Sequence, residues 1–238
     1  MDDGARTHAG SGITRGNLIP RVDSVTAQRL TLPIFPLNTV LFPGGVLPLR
    51  IFEARYMDMV RRAMRDASEF GVCLIRKGHE VGEVGHRGAV ETETIGCRAR
   101  IDDWNMEQLG VLQIATTGTE RFQIVSHAVQ NDGLMIADVE PLERETWAPL
   151  PEEAAACAAL LERIVSQWEA SEKASDPNAV GRPPIARPYR LDDATWVGNR
   201  LSEVLPVSLA ARQKLMALTD GPTRIAIVLR YLKQHKIV

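Results

Sequence analysis

The stretch LPIFPLNTVLFPGGVLPLRIF, residues 32–52, decides how the rest of this chain is read. It is dense in large apolar residues, yet Pro33, Pro36, Pro43 and Pro48 interrupt it at short intervals. Proline fixes φ and removes a backbone donor, so the stretch is neither a helix interior nor an unbroken central strand. It reads as two short buried strand segments, around Ile34–Leu37 and Val46–Leu49, joined by a turn at Phe42-Pro43-Gly44-Gly45. A helix is expected to start near Glu53. A stiff apolar ribbon of this kind is an architectural element rather than a catalytic one.

Working outward, Glu53–Asp66 sets Tyr56, Met59, Val60, Ala63 and Met64 at helical spacing, with Arg55, Arg61, Arg62 and Arg65 off that stripe. Gly71–Arg76 reads as a buried strand, Lys77–Val90 as a glycine-punctuated mobile loop, and Thr92–Ile101 as a segment containing a second strand. Asp102–Leu109 reads as a turn, Gly118 as a break, and Val111–Thr117, Phe122–Val125 and Leu134–Val139 as further strands. Connections this short exclude repeated βαβ units and predict a mostly antiparallel meander with one early helix.

The pattern changes at Thr146–Pro151. Beyond it, Glu152–Ser171 is helical, Ser175–Arg190 is a Pro-rich connector, and helical spacing resumes at Asp192. Ser208 is a candidate N-cap for Leu209–Leu218, and Asp220-Gly221-Pro222-Thr223 stops one helix and starts the last. The expected class is therefore α+β: a flexible arm over residues 1–29, a β subdomain over 30–147 and a helical subdomain over 148–238, with the connector at 175–190. Trp147, Trp168 and Trp196 are expected in the core of the helical part. The basic residues Arg200, Arg212, Lys214, Arg224, Arg230, Lys233 and Lys236 are expected on solvated helix faces.

Composition bounds the function classes. The 238 residues carry a formal net charge of −2, and the first 150 are more acidic than basic, which argues against a nucleic-acid partner. Cys73, Cys97 and Cys157 are odd in number, widely spaced and set among apolar or small neighbours, as reduced buried thiols are. No window approaches the roughly 18–20 apolar residues of a membrane span. The N-terminus has no apolar segment of a secretory signal, so the expected location is cytoplasmic.

With these pieces placed, the sequence resembles the Lon amino-terminal (substrate-binding) domain family. The first block of the match is Leu32-Pro33-Ile34-Phe35-Pro36-Leu37, Val40-Leu41-Phe42-Pro43-Gly44, Leu47-Pro48-Leu49, Ile51-Phe52-Glu53 and Arg55-Tyr56. The second is Ile95-Gly96-Cys97-Arg98-Ala99-Arg100-Ile101, and the third is Thr117-Gly118-Thr119-Glu120-Arg121-Phe122-Gln123-Ile124. The resemblance implies a PUA-like antiparallel β pseudo-barrel with one early helix, followed by a C-terminal helical bundle. It also implies a non-catalytic module that binds unfolded protein or extended peptide segments in protein quality control, with self-association a further implied property. In full Lon proteases an ATPase module and a serine–lysine peptidase follow this domain, and neither is expected here. Two positions depart from the family's opening block. Arg50 stands where a histidine is common, altering a surface charge, and Gly45 stands where a bulkier residue is frequent, which is expected to loosen the turn.

Chemistry-bearing motifs are sparse. A phosphate-wrapping loop needs glycines ending in Gly-Lys-Ser/Thr, and the chain has none. His79, Glu80, Glu83 and His86 are the best metal candidates, but four glycines around them leave nothing to hold a tetrahedral set, so no metal and no cofactor is expected. Cys97 is expected in the core, Asp102 and Asp103 in turn chemistry, and Arg121 in an ion pair with Glu53 or Glu120. The expected polypeptide contact is the turn Leu41, Phe42, Pro43 and Gly44 together with Tyr56. The alternatives are a PUA-like binder of RNA or small molecules, and a hydrolase built on convergent Asp, Glu and His groups.

Overall fold

The first strand, β1 (Leu30–Leu37), uses two neighbours in succession. Its first half, Leu30–Ile34, pairs antiparallel with β7 (Met135–Pro141), and its second half, Ile34–Leu37, pairs parallel with β3 (Phe70–Lys77). Among the described strands each half is thus paired on one side alone, and a strand so placed tolerates residues without an N–H such as Pro33 and Pro36. A computed structural model describes residues 29–78, 90–174 and 185–238. From β3 the sheet runs through β5 (Ile95–Gln108) and β6 (Val111–Val129) to β7 and back to β1, which closes it as a barrel. β2 (Val46–Ile51) is added to β6, and β4 (Glu91–Thr92) to β3. Pro48 lies on β2, which the described strands pair on one side alone.

Helix α1 (Ala54–Arg65) lays Tyr56, Met59, Val60 and Ala63 on the barrel. The Tyr56 ring stacks on Phe35 with centroids 4.0 Å apart, and Phe70, Leu112 and Ile114 complete that core. Burial of each large side chain contributes about 1.5–3 kcal/mol.

The strands exceed the expected ones in two places. Asp102–Leu109 is not a turn: β5 continues to Gln108 and pairs with β6 through Trp104↔Ile114 and Gln108↔Val111. Backbone pairing needs no apolar alternation, so a polar hairpin arm escapes a reading based on periodicity. Gly118 is not a break either, because β6 passes through it without interruption.

A 3-10 turn at Glu152–Ala154 leads into α2 (Ala155–Ala174), followed by α3 (Ala194–Val204), α4 (Leu209–Ala217) and α5 (Gly221–Gln234). Ser208 caps α4 as expected, accepting the Ala211 N–H, while Asp193 and Asp220 cap α3 and α5. Cys157, Leu161, Val197, Leu201, Ile225 and Leu232 form the helical core, against which Trp168 and Trp196 pack. Trp147, expected there too, is 60% exposed. The carbonyls on either side of it, Thr146 and Ala148, accept bonds from Thr195 and Ala194, so the chain is pinned at its backbone while the indole stays outside. A smaller cluster of Val40, Phe42, Leu74 and Met216 spans the sheet and the helices. The N-terminal arm, most of the Lys77–Val90 loop and part of the Pro-rich connector lie outside the described residues.

Candidate functional site

The turn at the centre of the opening stretch is where the helices meet the barrel. The Gly44 N–H donates to the Gly118 carbonyl (2.7 Å), and the Gly118 N–H donates to the Gly45 carbonyl (2.8 Å). This approach leaves no room for side chains: a Cβ on Gly118 would lie 2.2 Å from the Phe42 carbonyl oxygen. A Cβ on Gly45 would lie 2.1 Å from Glu203 Oε1. Gly45 therefore seats the Glu203 carboxylate of α3 against the turn, rather than loosening it. On the same helix, Arg200 Nη2 donates to the Pro43 carbonyl at 2.7 Å, and Arg200 Nε pairs with Glu203 Oε2 at 3.1 Å. Burial pushes the Glu203 carboxyl up to about 7, although Arg200 and the Phe42 N–H pull it down.

This geometry revises the expected polypeptide contact. Leu41, Phe42 and Tyr56 are 4%, 0% and 3% exposed, closed into the core by the joint and by α1. Tyr56 is buried deeply enough that its hydroxyl is pushed up to about 12. Pro43 is half-buried and Gly44 exposed, so they alone of the five keep accessible surface.

A second set of charges sits inside the joint. Arg121 does not pair with Glu53 or Glu120; Glu53 is engaged by Arg55, and Glu120 by Arg98 and Arg144. Instead Arg121 reaches Glu145 at 3.6 Å and donates to the carbonyls of Glu143 (3.0 Å), Met216 (3.2 Å) and Leu218. Arg224 pairs with the same Glu145 and donates to the Leu215 carbonyl at 2.8 Å, and Asn199 Nδ2 donates to Glu145 at 2.6 Å. Arg200 and Arg224, expected on solvated faces, have 0% exposure. Helical spacing marks which side a residue occupies, and here that side faces carbonyls and carboxylates of distant segments.

Beside the joint lies a groove of about 510 Å³ lined by Arg98, Arg100, Arg121 and Arg144 and equally by Glu69, Glu120, Glu143 and Glu145. Its four arginines are matched by four glutamates.

Large apolar residues are exposed at the far end of the β5–β6 hairpin. Leu109 at the tip is 96% exposed, Trp104 56% and Met106 38%. Phe52, 58% exposed, follows Ile51, the β2 residue paired with Leu112, and so reaches the same end of the sheet. Gly110, with φ +85°, makes the turn after Leu109. Sequence pattern alone does not mark these residues, because the segment reads as polar. The available signal was three large apolar residues inside DDWNMEQLG, residues 102–110, a stretch with no apolar face of its own.

Among the described residues no three His, Cys, Asp or Glu side chains converge to hold a metal ion. His79, Glu80, Glu83 and His86 lie outside the described residues. Cys73, Cys97 and Cys157 are unpaired and buried, and burial raises all three thiols, Cys73 to about 12 and Cys157 to about 11. No described helix is long and apolar enough to cross a membrane.

Comparison with known proteins agrees with this architecture. The chain is 34% identical over 116 residues to Lon protease 2 of Myxococcus xanthus, covering 48% of this chain and 13% of that protein. It is 26% identical over 206 residues to Lon protease 2 of Herpetosiphon aurantiacus, covering 86% of this chain and 24% of the relative. The chain thus spans about a quarter or less of these relatives. Among solved structures, a Lon N-terminal domain protein from Xanthomonas campestris superposes with a TM-score of 0.64 at 33% identity, covering 85% of this chain and 98% of that one. The N-terminal domain of a Mycobacterium avium complex Lon protease shares the fold, with a TM-score of 0.54 at 16% identity. Residues 31–234, both the barrel and the helices joined to it, match the ATP-dependent protease La (LON) substrate-binding domain, and the chain belongs to that family.

Proposed function

We propose that this chain is a non-catalytic binding module for extended or unfolded polypeptide, acting as a recognition or adaptor factor in protein quality control. The observation that carries the reading is the exposure of Trp104 and Met106 on β5, of Leu109 at the hairpin tip and of Phe52 just beyond β2. Large apolar side chains held open to water favour partners that bring apolar surface of their own. Folded proteins conceal such surface and unfolded ones display it. Pro43 and Gly44 are the part of the opening turn that this reading retains.

The test is fluorescence anisotropy with a labelled, reduced and carboxymethylated protein that cannot fold. The full chain should bind it saturably and ignore the same protein in its native, disulfide-bonded form. Trp104→Asp and Leu109→Asp should each weaken binding about tenfold while leaving the urea midpoint unchanged, since both positions are exposed. Unchanged affinity in both variants would place the contact elsewhere. Equal binding of folded and unfolded probes would remove the proposed substrate class.

A further inference from the structure

A second surface lies on the helical part, lined by no strand residue. It is a groove of about 560 Å³ between the start of the 3-10 turn and one face of α5. Ile225 and Leu229 make its floor and are 1% and 7% exposed, packed into the helical core beneath. Ala226, exposed beside them, is short enough to admit a close backbone approach. The groove follows α5 from Pro222 to Gln234, which at the helical rise is about 18 Å, or three turns. A trough of that length suits a rod rather than a compact ligand.

Charge gives the second observation. Arg230 and Lys233 stand along the groove, with Glu153 the single acidic lining residue. Neither cation forms an ion pair among the described residues, whereas Arg55, Arg61, Arg76 and Arg98 each have a carboxylate. The floor asks for apolar side chains at helical spacing, and the rim asks for acidic ones next to them.

We propose that the α5 groove docks an acidic amphipathic helix of a separate protein, its apolar stripe over Ile225 and Leu229 and its carboxylates against Arg230 and Lys233. Helix-in-groove recognition of this type reads anchors at i, i+3, i+4 and i+7. The surface is independent of the β5–β6 arm, so the chain has one place for a client and another for a partner that acts on it.

The experiment uses the full chain and two labelled helical peptides of about four turns. Both carry leucines at i, i+4 and i+7; one has glutamates on the flank and the other has lysines in their place. The glutamate peptide should bind saturably and more weakly as salt rises. The double variant Arg230→Glu/Lys233→Glu should lose about tenfold for the glutamate peptide and gain for the lysine peptide. Ala226→Trp should block both, and Trp104→Asp should change neither. All these positions are exposed, and circular dichroism checks that each variant is folded. Equal binding of the two peptides, a charge reversal that fails to invert the preference, or full binding by Ala226→Trp would overturn the proposal. So would a dimer that the groove variants dissociate, since the occupant would then be a second copy.

Discussion

Replacing Gly45 by alanine separates two accounts of the opening turn. Gly45 lies outside the left-handed region that Gly44 occupies at φ +73°. If its role were simple looseness, alanine would restrict the unfolded chain and stabilise the protein by about 0.4–1 kcal/mol. The structure predicts the opposite sign. The new Cβ would stand 2.1 Å from Glu203 Oε1 and 3.0 Å from the Phe42 carbonyl oxygen, so the carboxylate must leave. Leaving forfeits its bond from the Phe42 N–H and its pair with Arg200, whose side chain is 1% exposed. A hydrogen bond to a charged group contributes about 1.5–3 kcal/mol, and breaking a fully buried ion pair costs about 3–5 kcal/mol. Glu203 keeps 16% side-chain exposure and has a short path to water, so the lower range governs. The expected loss is about 2 kcal/mol, a fall in Tm of about 4–8 °C for a chain of this size. Urea unfolding at pH 8 measures it, and a double-mutant cycle with Glu203→Ala isolates the contact. In the Glu203→Ala background Gly45→Ala should cost under about 0.5 kcal/mol. A neutral or stabilising single variant, or an equal cost in both backgrounds, refutes the reasoning.

Glu145→Gln strips the charge that Arg121 and Arg224 share inside the joint, so urea unfolding should show a loss of about 3–5 kcal/mol. Glu53→Gln, which touches the more accessible pair with Arg55, should cost under about 1 kcal/mol by the same measurement. Phe42→Asp should abolish the cooperative unfolding transition, because it buries a carboxylate at a position with 0% exposure; selective loss of client binding by a folded variant would contradict its core assignment. Glu203 titrates higher in the folded chain, about 7, than its ordinary 4.5, so the folded state retains a proton that the unfolded state releases between those values. The stability linked to that bound proton is complete below about pH 4.5 and is lost as pH rises through 7, which leaves at pH 8 only the contacts of the ionised carboxylate with Arg200 and the Phe42 N–H. The stability of wild type relative to Glu203→Gln should fall across that window, and a flat difference would show that the carboxyl is not held up by burial.

Features that rest on neighbours along the chain are legible in the sequence. Four prolines at short intervals forced the opening stretch into short strands and a turn, the stripe of Tyr56, Met59, Val60 and Ala63 made α1, and Ser208 marked the start of α4. Three ordered blocks carried the family. The tertiary structure decided everything that depends on what stands opposite. Arg200 and Arg224 look like ordinary helix-surface cations until Pro43, 157 residues from the first, and Glu145, 79 residues from the second, are brought against them. Phe42 and Tyr56 look available until the joint and α1 close over them, whereas Trp104 and Leu109 look incidental until the hairpin carries them into solvent. Gly45 looks like slack until Glu203 occupies the space of its missing side chain. Periodicity reports which way a side chain leaves its own backbone. Whether it meets water, a carbonyl or another charge is set by segments that only the closed fold brings near.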